Sequence, residues 1–293
     1  MNSNGKKSQH VVKFRWFRAV PVAEADVWED RLFATGLENL ALSNSADDQK
    51  LLLEGFFESR DEAERFQAEF EGQIEEFADQ NWVALGEADA RRKSIRIRDR
   101  FVVTLDDDPG FLDELRSENP GADLLIFPPE MAFGTGDHET TSTCLEMLVE
   151  NSPAEPWSFL DLGTGTGILA VAASFLGASR IVGTDFDSKA IEVAQGSLAR
   201  NGVSANSVEL REQDVLAWEP DEQFDLVAAN LFSTVLIEAM PGIRASVKDG
   251  GQVILSGILR EQLLAVETAA KDAGLTFERV VERGKWASVH CLV

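Results

Sequence analysis

The chain has 293 residues, of which 44% are hydrophobic and 27% charged, and its 51 acidic and 27 basic residues give a formal net charge of −24. Such a chain is long enough for two globular domains, and no apolar run in it reaches the length of a membrane span. The acidity argues against direct nucleic-acid binding, because phosphate contacts need clustered Lys and Arg. It favours a basic partner, although acidity can also serve solubility alone.

The start of the chain and its cysteines indicate the compartment. Residues 1–9 are polar, with no apolar core behind them that could serve as a signal peptide, so we expect a cytoplasmic protein. The chain has only two cysteines, Cys144 and Cys291, and they are too far apart in the sequence to indicate a zinc site or a disulfide framework. We therefore expect two structural thiols and no bound metal.

The first third of the chain has the pattern of a small α+β domain. In chain order the pattern predicts strand, helix, strand, strand and helix at residues 11–20, 22–35, 38–43, 50–58 and 61–77, with one more strand near Trp82. This order is typical of a ferredoxin-like domain, which we assign to residues 1–84, and nothing in it indicates catalysis. Residues 85–130 are interpreted as a connector packed against the second domain, and their basic run at 91–93 as a solvated loop.

From residue 131 to 293, strands and helices alternate with short links. Strands are expected at residues 159–162, 180–185, 207–213, 224–230, 252–258, 275–282 and 287–293. Helices are expected at residues 142–149, 168–176, 188–201, 234–247 and 261–273. The alternation predicts a doubly wound, mostly parallel α/β sheet of seven strands with an antiparallel finish at one edge.

A glycine-rich loop follows the first of these strands. The run Asp161-Leu162-Gly163-Thr164-Gly165-Thr166-Gly167 ends a buried strand and opens a helix. Its backbone can approach a ligand closely, and the helix N-terminus offers unpaired N–H groups, so we interpret it as a cofactor loop rather than a simple packing turn. The loop also matches the dinucleotide fingerprint, with Asp185 at the distance of a ribose contact, so a nicotinamide-dependent oxidoreductase is an alternative.

Polar residues at the carboxyl ends of the strands complete the predicted pocket. Asp185 can accept from both hydroxyls of a ribose, and Asp214 can accept from an adenine amino group, although Asp214 is nearly as well explained as a turn residue. Asn230 is the last residue of a buried strand, and we expect it to lie above the reaction site. Its carbonyl and neighbouring backbone carbonyls could hold an amine, and a helix cap is the competing explanation.

A second glycine-rich loop, at residues 131–141, directly precedes the helix at 142–149. Phe133, Gly134, His138 and the pair Thr140-Thr141 exceed what a plain connector needs. His138 could act as an acid or base, but its acidic neighbours favour a His that only stabilises the loop.

Taken in order, these motifs resemble the ribosomal-protein L-eleven methyltransferase family. The motifs that carry the resemblance are Phe133-Gly134-Thr135-Gly136 with His138 and Thr140-Thr141, the run 161–170, Gly183-Thr184-Asp185-Phe186-Asp187, Ala229-Asn230-Leu231 and Leu255-Ser256-Gly257-Ile258-Leu259. The match covers about residues 128–293, and the combination is more specific than any one motif.

The resemblance implies a class I methyltransferase domain that uses S-adenosylmethionine, preceded by a small substrate-recruiting domain. It implies a substrate at the base of the large-subunit stalk, methylated on lysine side chains and its N-terminal amine. By this likeness Asn230 faces the incoming amine. The cofactor would be bound by Phe133, Gly134, Thr141, Asp161, Gly163, Gly165, Gly167, Asp185, Asp214 and Asn230.

Three alternatives stay open at this point. Asp137 and Glu139 beside the His, and a Trp-rich segment reduced to Trp82, depart from the family pattern, so a lysine methyltransferase with another protein substrate is one alternative. The oxidoreductase is the second, although the chain shows no second mononucleotide-binding half. A ribosome-associated binding module without turnover is the third.

Overall fold

The computed structural model describes residues 12–21, 28, 40–44, 50–57, 59–78, 94–128, 138–154, 156–204 and 206–293. The chain divides into two compact units, Met1–Ala88 and Asp89–Val293.

The first unit contains a four-stranded antiparallel sheet and one described helix. In chain order the elements are β1 (Val12–Pro21), β2 (Leu40–Asn44), β3 (Lys50–Phe57), α1 (Arg60–Phe70) and β4 (Gln73–Ala78), and the strand order is β2-β3-β1-β4. Trp16, Leu53, Phe66 and Phe70 form its buried core, where the rings of Trp16 and Phe66 meet edge to face at 4.8 Å. The predicted helix at 22–35 and the predicted strand near Trp82 lie outside the described residues, so the ferredoxin-like assignment stays a prediction.

The predicted helix at 61–77 is wrong in its second half. Glu71 and Gly72 have φ angles of 56° and 100°, which end α1 at Phe70, and residues 73–78 form the edge strand β4 paired with β1. The apolar residues Phe66, Phe70, Ile74 and Phe77 have helical spacing, but the last two lie on the strand.

The second unit begins with a small three-stranded sheet. Its elements are β5 (Ser94–Ile97), β6 (Phe101–Thr104), α2 (Pro109–Glu118) and β7 (Asp123–Ile126). The side chain of Asn201 receives from the backbone N–H of Ile126 at 2.7 Å and donates to its carbonyl at 3.0 Å. The described part of the predicted connector, residues 94–128, therefore has regular structure and packs within this unit. Residues 85–93, with the basic run at 91–93, and residues 129–130 lie outside the described residues.

The rest of the second unit is a seven-stranded sheet with helices on both faces. Its strands are β8 (Trp157–Leu162), β9 (Ala178–Asp185), β10 (Val208–Glu212), β11 (Phe224–Asn230), β12 (Val247–Leu259), β13 (Thr276–Arg283) and β14 (Trp286–Leu292). Its helices are α3 (Glu139–Asn151), α4 (Ile168–Phe175), α5 (Ser188–Arg200), α6 (Ser233–Ala245) and α7 (Leu263–Asp272), the last preceded by a 3-10 turn at Arg260–Gln262.

The sheet has the order β10-β9-β8-β11-β12-β14-β13, in which only the pairs made by β14 are antiparallel. Alternate residues of the central strands enter two separate cores. Phe159 and Leu226 pack on one face, whereas Leu160 and Val227 pack on the other. The predicted doubly wound sheet of seven strands with an antiparallel edge is confirmed.

The described residues contain no helix that is both long and apolar enough to cross a membrane.

Candidate functional site

The predicted site residues meet at the carboxyl edge of the parallel strands. Leu162 at the end of β8 pairs with Thr184 of β9 and with Ala229 of β11, so the chain leaves all three strands at one level. Asp185 and Asn230 are the last residues of β9 and β11. The glycine loop at 163–167 therefore lies between a carboxylate on one side and an amide on the other.

Asp161 lies beneath the glycine loop rather than at its surface. Its side chain is 1% exposed, and its Oδ2 accepts from the Thr164 hydroxyl at 2.7 Å. Burial raises the pKa of Asp161 to about 7, an effect that the hydrogen bond from Thr164 opposes and that the nearby charge of Asp185 increases. In this structure Asp161 holds the loop, and its predicted contact with a cofactor stays a prediction.

Thr164 ties the loop to the neighbouring strand. Its backbone N–H donates to the carbonyl of Thr184 at 2.8 Å, and its own carbonyl accepts from Gly167 at 2.8 Å. A Cβ on Gly183 would lie 2.9 Å from the Thr164 hydroxyl and 2.9 Å from a methyl of Leu210. Only glycine leaves room at position 183, which explains why a glycine interrupts an otherwise apolar strand.

The third glycine of the loop has a packing role. Gly167 is the N-cap of α4 with a left-handed φ of 81°, and a Cβ there would lie 3.1 Å from the Cβ of Ala194 on α5. The missing side chain lets the two helices approach closely at the start of α4.

Asp185 is fixed by the loop that it faces. One of its carboxylate oxygens accepts from the backbone N–H of Gly165 at 2.9 Å and the other from Asp187 at 3.1 Å. The side chain is half-buried, and its carboxylate oxygens retain further lone pairs for a ligand. The position is compatible with the predicted contact to ribose hydroxyls.

Asp214 has the geometry of a turn residue. Its Oδ1 accepts from the backbone N–H of Leu216 at 2.9 Å, its carbonyl accepts from Ala217, and the residue is exposed. Asp214 therefore has the contacts of a turn residue, which is one of the two explanations that the sequence left open. The contact of Asp214 with an adenine stays a prediction.

Asn230 is not a helix cap. The N-cap of α6 is Phe232, with no side-chain hydrogen bond, and the Asn230 amide instead donates to the hydroxyl of Thr141 at 3.4 Å. In this orientation its carbonyl oxygen faces away from Thr141 and can accept from another group. Thr141 is buried in the first turn of α3, so two predicted residues from distant parts of the chain meet here.

The start of α3 is held by local and long-range contacts. His138 caps the helix, with Nδ1 accepting from the Thr140 backbone at 3.3 Å, and its ring meets that of Trp286 edge to face at 5.4 Å. The buried Ser256 hydroxyl donates to the Thr140 carbonyl at 3.4 Å and pairs with Ser288 at 2.7 Å. His138 thus contacts the first turn of α3 and Trp286. Residues 131–137 of the loop lie outside the described residues, so its predicted role in stabilising that loop stays a prediction.

Several predicted features cannot be placed or carry no chemistry. Phe133 and Gly134 lie outside the described residues.

Burial raises the pKa of both Cys144 and Cys291 to about 12, so neither thiol is a nucleophile at neutral pH. Within the part of the chain that the structure describes, no three His, Cys, Asp or Glu side chains are grouped as metal ligands.

Sequence reasoning missed the residues that support the site from other elements. These are Thr164, Gly183, Leu231, Ser256, Gly257, Trp286 and Ser288. The motifs around Gly183 and Gly257 contribute to the family resemblance, but the contacts they make join strands that are far apart in the chain. A glycine inside an apolar strand is the signal that could have identified both positions.

The strand order, with its antiparallel β14 inserted before β13, and the glycine loop at the carboxyl edge define a class I methyltransferase fold. A family model described as ribosomal protein L11 methyltransferase (PrmA) matches residues 16–292. The chain belongs to this family, which confirms the resemblance.

Individual relatives agree with the family match. The ribosomal protein L11 methyltransferase of Desulforapulum autotrophicum is 42% identical over 170 residues, which cover 58% of this chain and 55% of that protein. The ribosomal protein L11 methyltransferase of Dechloromonas aromatica is 40% identical over 190 residues, which cover 65% of this chain and 59% of that protein. The chain thus spans less than two thirds of the length of these curated relatives. A crystal structure of a ribosomal protein L11 methylase from Lactobacillus delbrueckii subsp. bulgaricus is similar with a TM-score of 0.58 and 28% identity, over 68% of this chain and 97% of that one.

Proposed function

We propose that this protein transfers methyl groups from S-adenosylmethionine to amines of ribosomal protein L11, on lysine side chains and the N-terminal amine. Family membership over residues 16–292 supports the reaction and the substrate. The observation that carries the proposal is the meeting of Asp185, the glycine loop and Asn230 at one edge of the sheet.

The residues at this edge fit the chemical parts of S-adenosylmethionine. Asp185 offers carboxylate oxygens to the ribose hydroxyls, and the loop at 163–167 offers backbone close to the ligand at a helix N-terminus. When bound, the cofactor supplies a methyl group on a sulfonium, which is already an activated donor. The carboxylate of Asp185 also makes this edge suited to a cationic ligand.

Asn230 has the role of orienting the amine. With Nδ2 donating to Thr141, its Oδ1 can accept an N–H of a neutral amine, so that the nitrogen lone pair is aimed at the methyl carbon. With the cofactor bound, the nitrogen–carbon bond would form as the carbon–sulfur bond breaks, and the methylated ammonium would lose its extra proton to solvent. A lysine with an ordinary pKa of about 10.4 must first lose a proton, which a desolvated pocket favours, so no dedicated catalytic base is required.

The two units have separate roles in this proposal. We assign residues 1–84 to substrate recruitment and residues 131–293 to methyl transfer, and we keep residues 85–130 as the connecting segment, most of which is folded with the three-stranded sheet of the second unit. We propose that the protein works in the cytoplasm without contacting nucleic acid directly. The net charge of −24 favours a basic protein as the partner, as expected of a ribosomal protein.

The decisive experiment incubates the purified protein with methyl-labelled S-adenosylmethionine and separated large-subunit ribosomal proteins that carry no methyl groups. We expect label on L11, located by mass spectrometry on lysine and N-terminal amines. Label on another protein only would overturn the substrate and leave the chemistry. Asn230→Ala, which removes the acceptor without touching Asp185, is the matched control and should bind cofactor while transferring far less label.

Calorimetry separates the proposal from the oxidoreductase alternative. We expect heat on titration with S-adenosylmethionine and none with a nicotinamide dinucleotide. The opposite result would reject methyl transfer. Cofactor binding without label on any protein would instead favour a binding module without turnover.

A further inference from the structure

The residue after Asn230 is enclosed by two glycines, one in the glycine loop and one on β12. Leu231 leaves β11, and its N–H donates to the carbonyl of Ser256 on β12 at 3.1 Å. Its backbone lies against Gly257, the residue that follows Ser256, and its side chain lies against Gly163 in the glycine loop. Leu231 therefore joins the cofactor loop to the strand on the other side of Asn230.

The contact at Gly257 is with the backbone of Leu231. A Cβ at position 257 would overlap the Leu231 carbonyl oxygen and lie 2.9 Å from its carbonyl carbon and 3.2 Å from its nitrogen. Gly257 has a φ of 79°, and the pairing of β12 with β14 shifts register between Leu255 and Ile258. The irregularity in β12 thus lies where the peptide after Asn230 passes.

The contact at Gly163 is with the end of the Leu231 side chain. A Cβ at position 163 would overlap the Cδ2 methyl of Leu231 and lie 3.4 Å from its Cγ. The absence of a side chain at Gly163 therefore serves Leu231, in addition to any close approach of a ligand to the loop.

We propose that Leu231, enclosed by Gly163 and Gly257, is the positioning residue that sets the orientation of Asn230 toward the amine. The inference rests on the proposed function of this edge and deepens it. Asn230 is one peptide from Leu231, so a displaced Leu231 backbone rotates the amide away from Thr141. A misplacement of about 1 Å can reduce a methyl-transfer rate roughly 100-fold, because in-line displacement needs aligned atoms.

Gly250 supplies the matched control for backbone strain. It lies on the same strand β12, has a φ of 75° and would meet nothing within 4 Å if it carried a Cβ. Gly257→Ala and Gly250→Ala therefore place alanine at similar positive φ angles, and only the first forces the peptide of Leu231 to move. A role in folding alone would lower the melting temperature without changing the turnover of the folded fraction.

The first test compares these two variants in kinetics and by NMR of the Asn230 side-chain amide, a signal assigned by its loss in Asn230→Asp. We expect Gly257→Ala to lower kcat on the order of 10- to 100-fold, with little change in S-adenosylmethionine affinity, and to shift the amide signal. Gly250→Ala should leave kcat and the amide signal unchanged. An unshifted amide in folded Gly257→Ala would overturn the inference, and the NMR result is independent of whether the enzyme acts on L11.

The second test uses the difference between side-chain and backbone contacts. Leu231→Val removes the methyl that a Cβ at Gly163 would meet, but it leaves the backbone that a Cβ at Gly257 would meet. We expect Gly163→Ala also to lower kcat and to shift the amide signal, because its Cβ would displace the Leu231 side chain. Leu231→Val should then restore part of both in the Gly163→Ala background and nothing in the Gly257→Ala background. Equal behaviour in both backgrounds contradicts the proposed enclosure.

Discussion

The Thr164 hydroxyl donates to the buried carboxylate of Asp161 at 2.7 Å, directly beneath the glycine loop. Asp161 is also close enough to Asp185 for their charges to interact, and it accepts a backbone hydrogen bond from Ala170. The strand end, the loop and the first turn of α4 are therefore joined through one side chain. Since burial raises the pKa of Asp161 to about 7, the strength of this junction depends on pH.

Folding stability should fall between about pH 4 and pH 7 through Asp161. The raised pKa means that the folded state holds a proton on Asp161 in this range, whereas the unfolded state has lost it, so raising the pH favours unfolding. The contribution is full below about pH 4 and is lost as the pH rises through about 7. It amounts to about 4 kcal/mol at most.

Urea unfolding of the wild type and of Asp161→Asn across this range measures the effect. The amide oxygen of the variant can still accept from Thr164, but the amide does not titrate, so the difference between the two curves isolates Asp161. If the unfolding free energies of the two proteins ran parallel against pH, Asp161 would be ionised in the folded protein at all these pH values.

Gly183→Ala should disturb the same junction from the neighbouring strand. The added Cβ would press on the Thr164 hydroxyl and on Leu210, so we expect a loss of stability of about 1 to 3 kcal/mol and weaker binding of S-adenosylmethionine. Thermal unfolding and calorimetry measure the two effects. Gly196→Ala is the control, because it lies in helix α5 with nothing within 4 Å of an added Cβ and should stabilise by about 0.5 to 1 kcal/mol.

The sequence predicted the sheet well because its strands are apolar runs of the right length. The bounds of β11 are the same in prediction and structure, and Asp185 ends β9 in both. Parallel strands of this kind direct their carboxyl ends to one edge, so the residues that follow them could be assigned to the site without a structure.

Sequence patterns failed where a local backbone conformation or a long-range contact decides. The apolar spacing of 66, 70, 74 and 77 predicts one helix, but the left-handed backbone at Glu71 and Gly72 ends it. The enclosure of Leu231 joins residue 163 after β8, residue 231 after β11 and residue 257 on β12, and no local pattern describes such a contact. The exclusion of a cap role for Asn230 likewise required the structure, in which Phe232 is the N-cap of α6.

Asp185→Asn should weaken cofactor binding about 10- to 100-fold, because a hydrogen bond to a charged carboxylate contributes about 1.5 to 3 kcal/mol. The variant keeps one oxygen, which can accept from Gly165 and hold the loop, and it loses the oxygen that accepts from the backbone N–H of Asp187. Calorimetry with S-adenosylmethionine measures the affinity. Asp214→Asn is the matched control, since its exposed side chain accepts mainly from the turn, and a larger loss there than at Asp185 would contradict the proposed site.

Asn230→Ala should lower kcat about 100- to 1,000-fold while the affinity for S-adenosylmethionine changes little, because the acceptor acts on the amine in the reacting arrangement. Thr141→Val, which removes the acceptor of the Asn230 amide without removing the amide, should give an intermediate loss of about tenfold. Steady-state kinetics and calorimetry on the same preparations separate the two parameters. An unchanged kcat in Asn230→Ala would remove Asn230 from the mechanism.

Binding of the protein substrate should weaken with salt more than binding of the cofactor does. The chain carries 51 acidic and 27 basic residues, so a basic ribosomal protein is attracted over distances that salt screens, with a Debye length of about 10 Å at 0.1 M. We expect KM for L11 to rise several-fold between about 50 and 300 mM NaCl, while the Kd for S-adenosylmethionine, measured by calorimetry, changes less because its contacts lie within the fold. A KM that does not respond to salt would mean that recognition depends on apolar or shape-specific contacts, and the acidity of the chain would then serve solubility alone.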